Sequence, residues 1–339
     1  MSLDQSQVVL GYSGGVDSVA AVALLQSCDL EVTALTLDMC GDESLVENAR
    51  KCANESGIKF AALNCEELFQ KEIKNYFTSE YLKGRTPAPC TRCNPLVKWH
   101  LLSEYATANG IYHIATGHYF RIEKYNGKLY VARAADRLKD QSYYLWGLSQ
   151  EILARAITPM AEVIKEQINT SKRKESMGVC FLRSRRYSDY IEEVCGVLPQ
   201  GDILDKSGVV VGKHNGLAHY TIGQKRGEGI PKNSVVIGLD NNCNSLIIGD
   251  DSDLYHTQLF ISECNIVDLE ELTTSADISV MIRGIGRNPD GYAKSIIEHG
   301  DGYKITLSSP AWASAAGQPV VLYRGDRVIG GGYLDKVLP

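Results

Sequence analysis

The stretch Ser13-Gly14-Gly15-Val16-Asp17-Ser18 lies between one apolar run, Val8-Val9-Leu10, and a second, Val19 to Leu25. Read as strand, tight turn and helix, this order places a sheet at the start of the chain, with an anion-binding turn at the end of its first strand. Two successive glycines let backbone approach an anion closely, the flanking hydroxyls and N–H groups donate to it, and the helix aims its positive end at the same point. No lysine follows the glycines, so the loop is not the lysine-bearing kind that holds a γ-phosphate for transfer. The bland alternative is a solvent-facing turn in which Asp17 or Ser18 caps the helix. Asp17 is equally suited to hold the Mg2+ that a triphosphate carries.

From the start to about residue 165, strands and helices alternate. Val8 to Leu10, Val32 to Leu37, Lys59 to Leu63 and Ile111 to His118 read as strands, with a helix to Gln26 and another across Ser44 to Ser56. Such alternation predicts an α/β fold with a parallel sheet covered on both faces. Ligands of open parallel sheets bind beyond the carboxyl ends of strands, so Gly117 and the Ser13 to Ser18 loop are expected to face one cleft. After about Gly196 the runs become short, β-rich and punctuated by glycine and Asn or Asp, as in Val235-Val236-Ile237-Gly238 and Leu246-Ile247-Ile248-Gly249. One or two small barrels or sandwiches are predicted there. The expected division is a nucleotide-binding domain over 1–195, a small β-rich central domain over 196–256 and a C-terminal β-barrel over 257–339.

A length of 339 residues suits two or three domains, and 44% hydrophobic with 22% charged residues is ordinary for a soluble protein. No apolar run reaches membrane length and the first helix is no signal peptide, so a cytoplasmic protein is expected. Ten cysteines in such a chain read as thiols rather than disulfides. The net charge of -6 argues against indiscriminate coating of nucleic acid but leaves room for a local basic site. Lys172, Arg173, Lys174, Arg183, Arg185 and Arg186 around Cys180 are the candidate; a solvated helix face is the alternative.

Cys90 and Cys93 form a C-x-x-C whose approach, Thr86-Pro87-Ala88-Pro89, reads as stiff and extended, with a helix starting behind it at about Leu96. A thiol near a helix start and beside Arg92 has its thiolate favoured, as a nucleophile or metal ligand requires. A redox pair, half of a zinc site and nucleophilic sulfur chemistry all fit these residues. No second C-x-x-C and no H-x-x-x-H completes an ordinary zinc site. Cys180 is marked only by its basic neighbours, since cations lower a thiol pKa.

The glycine loop resembles that of the PP-loop ATP pyrophosphatases, or adenine nucleotide alpha hydrolase-like proteins, which implies transfer of AMP rather than of phosphate. A longer series of motifs is similar to the tRNA-specific 2-thiouridylases, the MnmA/TrmU family, over essentially the whole chain. They are Gly11 to Ser18, Gly84-Arg85-Thr86-Pro87-Ala88-Pro89-Cys90, Cys93-Asn94, Ala115 to Tyr119, Lys139 to Tyr143, Gly178-Val179-Cys180-Phe181, and Gly212-Lys213-His214 through Gly227. The tail motifs Pro310 to Ala313, Gly317-Gln318 and Gly330-Gly331-Gly332 resemble the family's C-terminal barrel.

The resemblance implies that ATP adenylates the C2 oxygen of a wobble uridine in tRNA and that sulfur then displaces AMP. Cys180 is similar to the cysteine that takes persulfide sulfur from a desulfurase or sulfur carrier, and Cys93 to a second catalytic cysteine. Gly11, Tyr12, Ser13, Gly14, Gly15, Val16, Asp17, Ser18, Leu37 and Gly117 match nucleotide-binding positions, with Mg2+ accompanying ATP. Lys139, Asp140 and Gln141 match tRNA contacts, as do Ala88, Pro89 and Cys90 at the target base and Arg283 near the C-terminus. The trio Cys90, Cys93 and Cys180 also resembles a variant that holds an iron-sulfur cluster. The rival is a persulfide relay with Cys90 as spectator. Two other classes share parts of this pattern: PP-loop amidating or ligating enzymes, which need no cysteine trio, and RNA-binding proteins that keep the scaffold without turnover.

Overall fold

The computed structural model describes residues 3–167, 178–183, 185–284 and 287–338. The chain divides into two compact units. The first comprises Met1–Lys74, Cys90–Ser176 and Asp326–Val328; the second comprises Asn75–Pro89, Met177–Gly325 and Ile329–Pro339.

The first unit is built on a five-stranded parallel sheet, ordered β3-β2-β1-β4-β7. Its strands are β1 (Asp4–Gly11), β2 (Glu31–Asp38), β3 (Lys59–Asn64), β4 (Ile111–Thr116) and β7 (Ala156–Ile157). Val8, Val9 and Leu10 are fully buried, which is why β1 reads as an unbroken apolar run rather than an alternating one. Val8 and Leu10 pack with Ala21, Val22 and Leu25 of the helix Val16–Gln26 and with Ala49 and Ala53 of the helix Glu43–Glu55. Gly11 points the other way, where Leu102 of the helix Trp99–Ala108 lies 3.1 Å from the place of a Cβ. Both faces are therefore covered, as the alternation predicts. Each fully buried aliphatic side chain of this kind contributes about 2 kcal/mol.

An antiparallel hairpin, β5 (Arg121–Tyr125) and β6 (Lys128–Ala132), interrupts the alternation. It turns on Asn126 and Gly127, both at positive φ, a turn type suited to the twist of paired strands. Arg121 and Arg137 converge on Asp326 of the same unit at 2.9 and 2.7 Å.

The second unit is β-rich, as expected beyond Gly196. A four-stranded sheet, ordered β10-β11-β8-β9, contains β8 (Gly201–Leu204), β9 (Val210–His214), β10 (Val235–Asp240) and β11 (Ser245–Gly249). Its core is Ile203, Leu217, Tyr220, Val236, Leu246 and Ile248. A second series begins at Tyr255 with strand β12 (Tyr255–Ile266). It continues through β13 (Ile278–Met281), β14 (Ala293–His299), β15 (Gly302–Trp312), β16 (Pro319–Arg324) and β17 (Arg327–Leu338), in the order β13-β16-β17-β12-β15-β14. Arg85 is held inside this unit by Glu80 at 2.6 Å and Asp335 at 3.0 Å, while Thr86 N–H donates to the Ala316 carbonyl.

Candidate functional site

Strand β1 has β2 on one side and β4 on the other, so chain order reverses between β1 and β4, the place where open parallel sheets bind ligands. The loop Ser13 to Ser18 leaves β1, and Gly117 follows β4, whose Thr116 is in register with Gly11. A Cβ on Gly117 would lie 3.2 Å from the backbone of Asp17 and Ser18, so the two turns meet as predicted. Gly14 sits at φ 69°, and a side chain there would also press on Ala49 Cα at 3.0 Å. Glycine is required at this position on both counts.

The helix behind the loop starts at Val16 with extended Gly15 as its N-cap and no side-chain cap. The bland reading, in which Asp17 or Ser18 caps the helix, is thereby excluded. Ser18 instead donates its hydroxyl to the Gly15 carbonyl at 2.9 Å, and Gly15 N–H reaches Ser13 Oγ at 3.3 Å. The helix N–H groups of the first turn are thus left without a side-chain acceptor, the arrangement that suits an anion. Thr36 fixes the loop from β2 by donating to the Tyr12 carbonyl at 2.7 Å. Leu37, also expected at the nucleotide, is half-buried near the end of β2 and pairs with Leu63.

Asp17 has a role that its sequence neighbours do not reveal. Its Oδ1 accepts the Tyr119 hydroxyl at 2.9 Å and an ion pair from Lys165 Nζ. Lys165 is buried, and it lies 148 positions from Asp17. A loop without a lysine of its own therefore has one beside it. His118, next to the same turn, is held neutral: burial, reinforced by the nearby Lys98 charge, pushes its imidazole down to about 3. Its Nδ1 lies 2.8 Å from the Thr116 hydroxyl.

The turn Lys139-Asp140-Gln141 organises this neighbourhood. Asp140 accepts from Ala134 N–H at 2.9 Å and from the Ser142 hydroxyl at 2.7 Å. Gln141 Oε1 accepts Tyr119 N–H at 3.0 Å, while Gln141 N–H donates to the Tyr119 carbonyl at 2.8 Å. The Asp140 and Gln141 side chains are thus committed within the unit, the polar-turn duty that such residues ordinarily perform.

The C-x-x-C departs from expectation in its local structure. Cys90 and Cys93 lie on a helical turn, Pro89–Cys93, that runs on through a wider π-type turn, Asn94–Lys98, into Trp99–Ala108. The helix thus begins at Pro89, not near Leu96, because a proline is well suited to a first helical position. Cys93 is 5% exposed, between buried Thr91 and Asn94, and Cys90 is half-buried. Tyr144, whose hydroxyl pKa is raised by burial and then by Cys90, faces this thiol, and Asn94 Nδ2 donates to the Tyr144 carbonyl at 2.8 Å. Arg92 turns to Glu72, with Nε 3.2 Å from its carbonyl.

In the second unit Cys180 is exposed and opens the short 3-10 turn Cys180–Leu182. Phe181 and Leu182 anchor that turn, Phe181 lying edge-on to Phe77 with ring centres 5.2 Å apart and 5.3 Å from Tyr190. Of the basic flank, Arg185 pairs with Glu193 and Arg186 with Asp189 at 3.3 Å, so its charge is partly balanced. Lys172, Arg173 and Lys174 lie outside the described residues. A cleft of about 810 Å3 opens beside Gly178 and Val179, lined by Arg185, Arg186, His219 and Arg226 among others. Arg283 donates to the Ala313 carbonyl and stacks 5.4 Å from the Trp312 ring. Ala88 is half-buried and Pro89 buried.

Among the described residues no three His, Cys, Asp or Glu side chains stand together as a metal-binding group. Mg2+ carried by a triphosphate would need one or two carboxylates from the protein, and Asp17 is the carboxylate present at the loop. No helix among the described residues is long and apolar enough to cross a membrane.

A lysine-free glycine loop at a parallel-sheet switch point, followed by an exposed thiol and two β-sheets, defines an α/β nucleotide-binding protein of the PP-loop kind. Three family profiles match in tandem: a tRNA methyl transferase HUP domain over residues 6–184, a tRNA methyl transferase PRC-barrel domain over 188–250, and an aminomethyltransferase beta-barrel domain over 257–334. The chain is 34% identical to the tRNA-specific 2-thiouridylase MnmA of Desulforamulus reducens over 365 aligned residues, covering 98% of each protein. It is 36% identical to tRNA-specific 2-thiouridylase MnmA 3 of Bacteroides fragilis, covering 98% of this chain and 95% of that one. Among solved structures, the NH3-dependent NAD synthetase of Campylobacter jejuni aligns over 49% of this chain and 62% of its own at 17% identity, with a TM-score of 0.28. The chain belongs to the tRNA-specific 2-thiouridylase family.

Proposed function

We propose that this protein makes 2-thiouridine in tRNA, binding ATP in the crevice formed by the Ser13 to Ser18 loop, Leu37 and Gly117. The observation that carries the reading is the meeting of Gly117 with Asp17 and Ser18 around an uncapped helix start, in a chain that also carries an exposed thiol at Cys180. The C2 oxygen of the wobble uridine attacks the α-phosphorus of ATP, the bond to the β-phosphate oxygen breaks, and pyrophosphate leaves with its electron pair. A poor leaving oxygen thereby becomes AMP.

Sulfur arrives as a persulfide on Cys180, loaded by a cysteine desulfurase or sulfur carrier protein. The outer sulfur attacks C2 and AMP departs with the original oxygen. Cys93 thiolate attacks Cys180 Sγ, its electron pair closes the disulfide, and the outer sulfur keeps the electrons of the broken S–S bond as the thiocarbonyl. A cellular thiol then reduces the Cys93–Cys180 disulfide. No step is routed through an iron-sulfur cluster. The profile descriptions speak of methyl transfer, but an ATP loop and paired thiols serve sulfur insertion, the activity named for the full-length relatives.

Lys139 and Arg283 are assigned to tRNA, with Ala88-Pro89-Cys90 near the target base, in a cytoplasmic protein divided as 1–195, 196–256 and 257–339. Asp140 and Gln141 act there by shaping the turn. The test is mass spectrometry of nucleosides from tRNA incubated with the protein, ATP, Mg2+ and a sulfide or persulfide source. ATP-dependent 2-thiouridine is expected; its absence with intact substrate overturns the reading.

A further inference from the structure

Two thiols that the proposed reaction does not use stand together at the carboxyl edge of the parallel sheet. Cys40 follows β2 and Cys65 follows β3, strands whose last paired residues are Asp38 and Asn64. Cys65 is fastened to the end of β2: its N–H donates to the Asp38 carbonyl at 2.9 Å and its thiol to the same oxygen at 3.4 Å. Cys40 is fastened to the same residue, its N–H 3.2 Å from Asp38 Oδ1. On its other side Gly41, at φ 63°, turns the chain so that the place of a Cβ lies 3.0 Å from Oε2 of Glu66, the neighbour of Cys65. The chain on both sides of Cys40 thus touches Cys65 or the residue after it. Neighbouring strands run about 4.8 Å apart, within the span that a disulfide bridges.

The two thiols differ in reach. Cys40 is half-buried and partly open to a small oxidant; Cys65 is buried, and burial, with Asp38 and Cys40 adding to it, pushes its thiol up to about 11. Cys65 therefore rests as S–H, sheltered from direct attack, and reacts with a partner held beside it. The segment from Cys40 to the glycine loop is well braced. Asp42 N–H donates to Asp38 Oδ1 at 3.2 Å, and the Asp42 side chain caps the helix Glu43–Glu55 through the N–H groups of Ser44 and Leu45 at 3.1 and 3.4 Å. That helix sets Ala49 Cα and Asn48 Nδ2 at 3.0 and 3.3 Å from the place of a Cβ on Gly14. A pull on residue 40 is passed along a capped helix to the loop.

Building on the proposed binding of ATP at that loop, we propose that Cys40 and Cys65 form an oxidation site for hydroperoxides, whose disulfide weakens ATP binding. Cys40 sulfur attacks one oxygen of hydrogen peroxide, the O–O bond breaks, and the second oxygen leaves as water with the Cys40 proton, giving a sulfenic acid. Cys65 sulfur then attacks the Cys40 sulfur, the S–O bond breaks, and the hydroxyl leaves as water with the Cys65 proton. Two thiols and one peroxide become a disulfide and two waters. Such a switch halts ATP use when the thiols that must reset Cys93 and Cys180 are scarce.

The experiment treats the reduced full-length protein with hydrogen peroxide, alkylates it without reduction and maps linked peptides by mass spectrometry. ATP affinity is read by calorimetry with Mg2+, and folding by melting temperature. A Cys40–Cys65 linked peptide is expected, with ATP affinity lowered about tenfold or more and restored by dithiothreitol. Cys40→Ser and Cys65→Ser are expected to bind ATP as reduced wild type does, before and after peroxide. Cys40→Ser, at the half-buried position, keeps the test decisive if Cys65→Ser melts early. Peroxide that oxidises other cysteines and leaves these two unlinked overturns the proposal. So does a linked protein whose ATP affinity stays within about threefold of the reduced form, or an affinity loss that persists in Cys40→Ser. Reduced wild type that binds no ATP overturns the nucleotide reading and the switch with it, a result distinct from ATP-binding protein in which Cys40 and Cys65 stay unlinked.

Discussion

Cys93 and Cys180 are the same functional group in opposite settings. Cys93 is buried within a continuous helical run, between buried Thr91 and Asn94; Cys180 is exposed on a 3-10 turn whose next two residues are sunk into an aromatic cluster. A thiol that receives sulfur from another protein must be reachable, and its turn must stay put while it is loaded. A thiol that acts later benefits from shelter, because it is then spared oxidation by solvent species. The contrast supports the proposed roles, loading at Cys180 and discharge by Cys93.

The strongest challenge to that contrast is substitution. Cys180→Ser and Cys93→Ser are each expected to lower 2-thiouridine formation more than about 1000-fold. Only Cys180→Ser should also lose the persulfide, seen by intact mass after exposure to a desulfurase; loading of Cys180→Ser with none on Cys93→Ser would reverse the roles. Next in size is alkylation of the folded protein. Iodoacetamide should modify Cys180 on the order of 100-fold faster than Cys93, followed by peptide mass spectrometry, and equal rates would break the comparison.

A smaller effect separates the nucleotide crevice from the Cys180 turn. Gly117→Ala forces a methyl to within 3.2 Å of Asp17 and Ser18 backbone, and overpacking of this kind costs about 1–3 kcal/mol. ATP binding measured by calorimetry should weaken roughly tenfold while Cys180 alkylation stays unchanged. Tight ATP binding by this variant would show that Gly117 does not shape the crevice.

The smallest effect is one of pH. The unfolded chain protonates His118 near its ordinary value of 6.5, whereas the folded chain withholds the proton to about 3. Protons therefore favour the unfolded state, and stability contributed by the buried neutral ring is present above pH 6.5 and lost as pH falls towards 3. Urea midpoints between pH 7 and pH 4 should decline less steeply for His118→Gln than for wild type. Parallel slopes would contradict the placing of this ring.

What was legible in the sequence was mainly local. The buried strands, the glycine turn and the helix behind it follow from apolar runs and glycine placement, and each appears within a few residues of its expected place. The start of the cysteine helix is not legible from local sequence, because prolines favour extended chain before them as readily as a first helical turn at them, and Pro89 takes the second role. The hairpin at Asn126-Gly127 carried a recognisable turn pair that the α/β alternation obscured. Lys165 had no local mark at all, since its partner Asp17 is 148 positions away and no periodicity connects them. Likewise, the basic flank of Cys180 looked stronger in one dimension than it is beside Glu193 and Asp189.

The most direct test follows the oxygen that sulfur replaces. A tRNA carrying heavy oxygen at C2 of the wobble uridine, incubated with the protein, ATP and a persulfide donor, should yield 2-thiouridine and AMP that bears the heavy atom, as read by mass spectrometry. Unlabelled AMP formed together with 2-thiouridine would contradict adenylation of the uridine carbonyl.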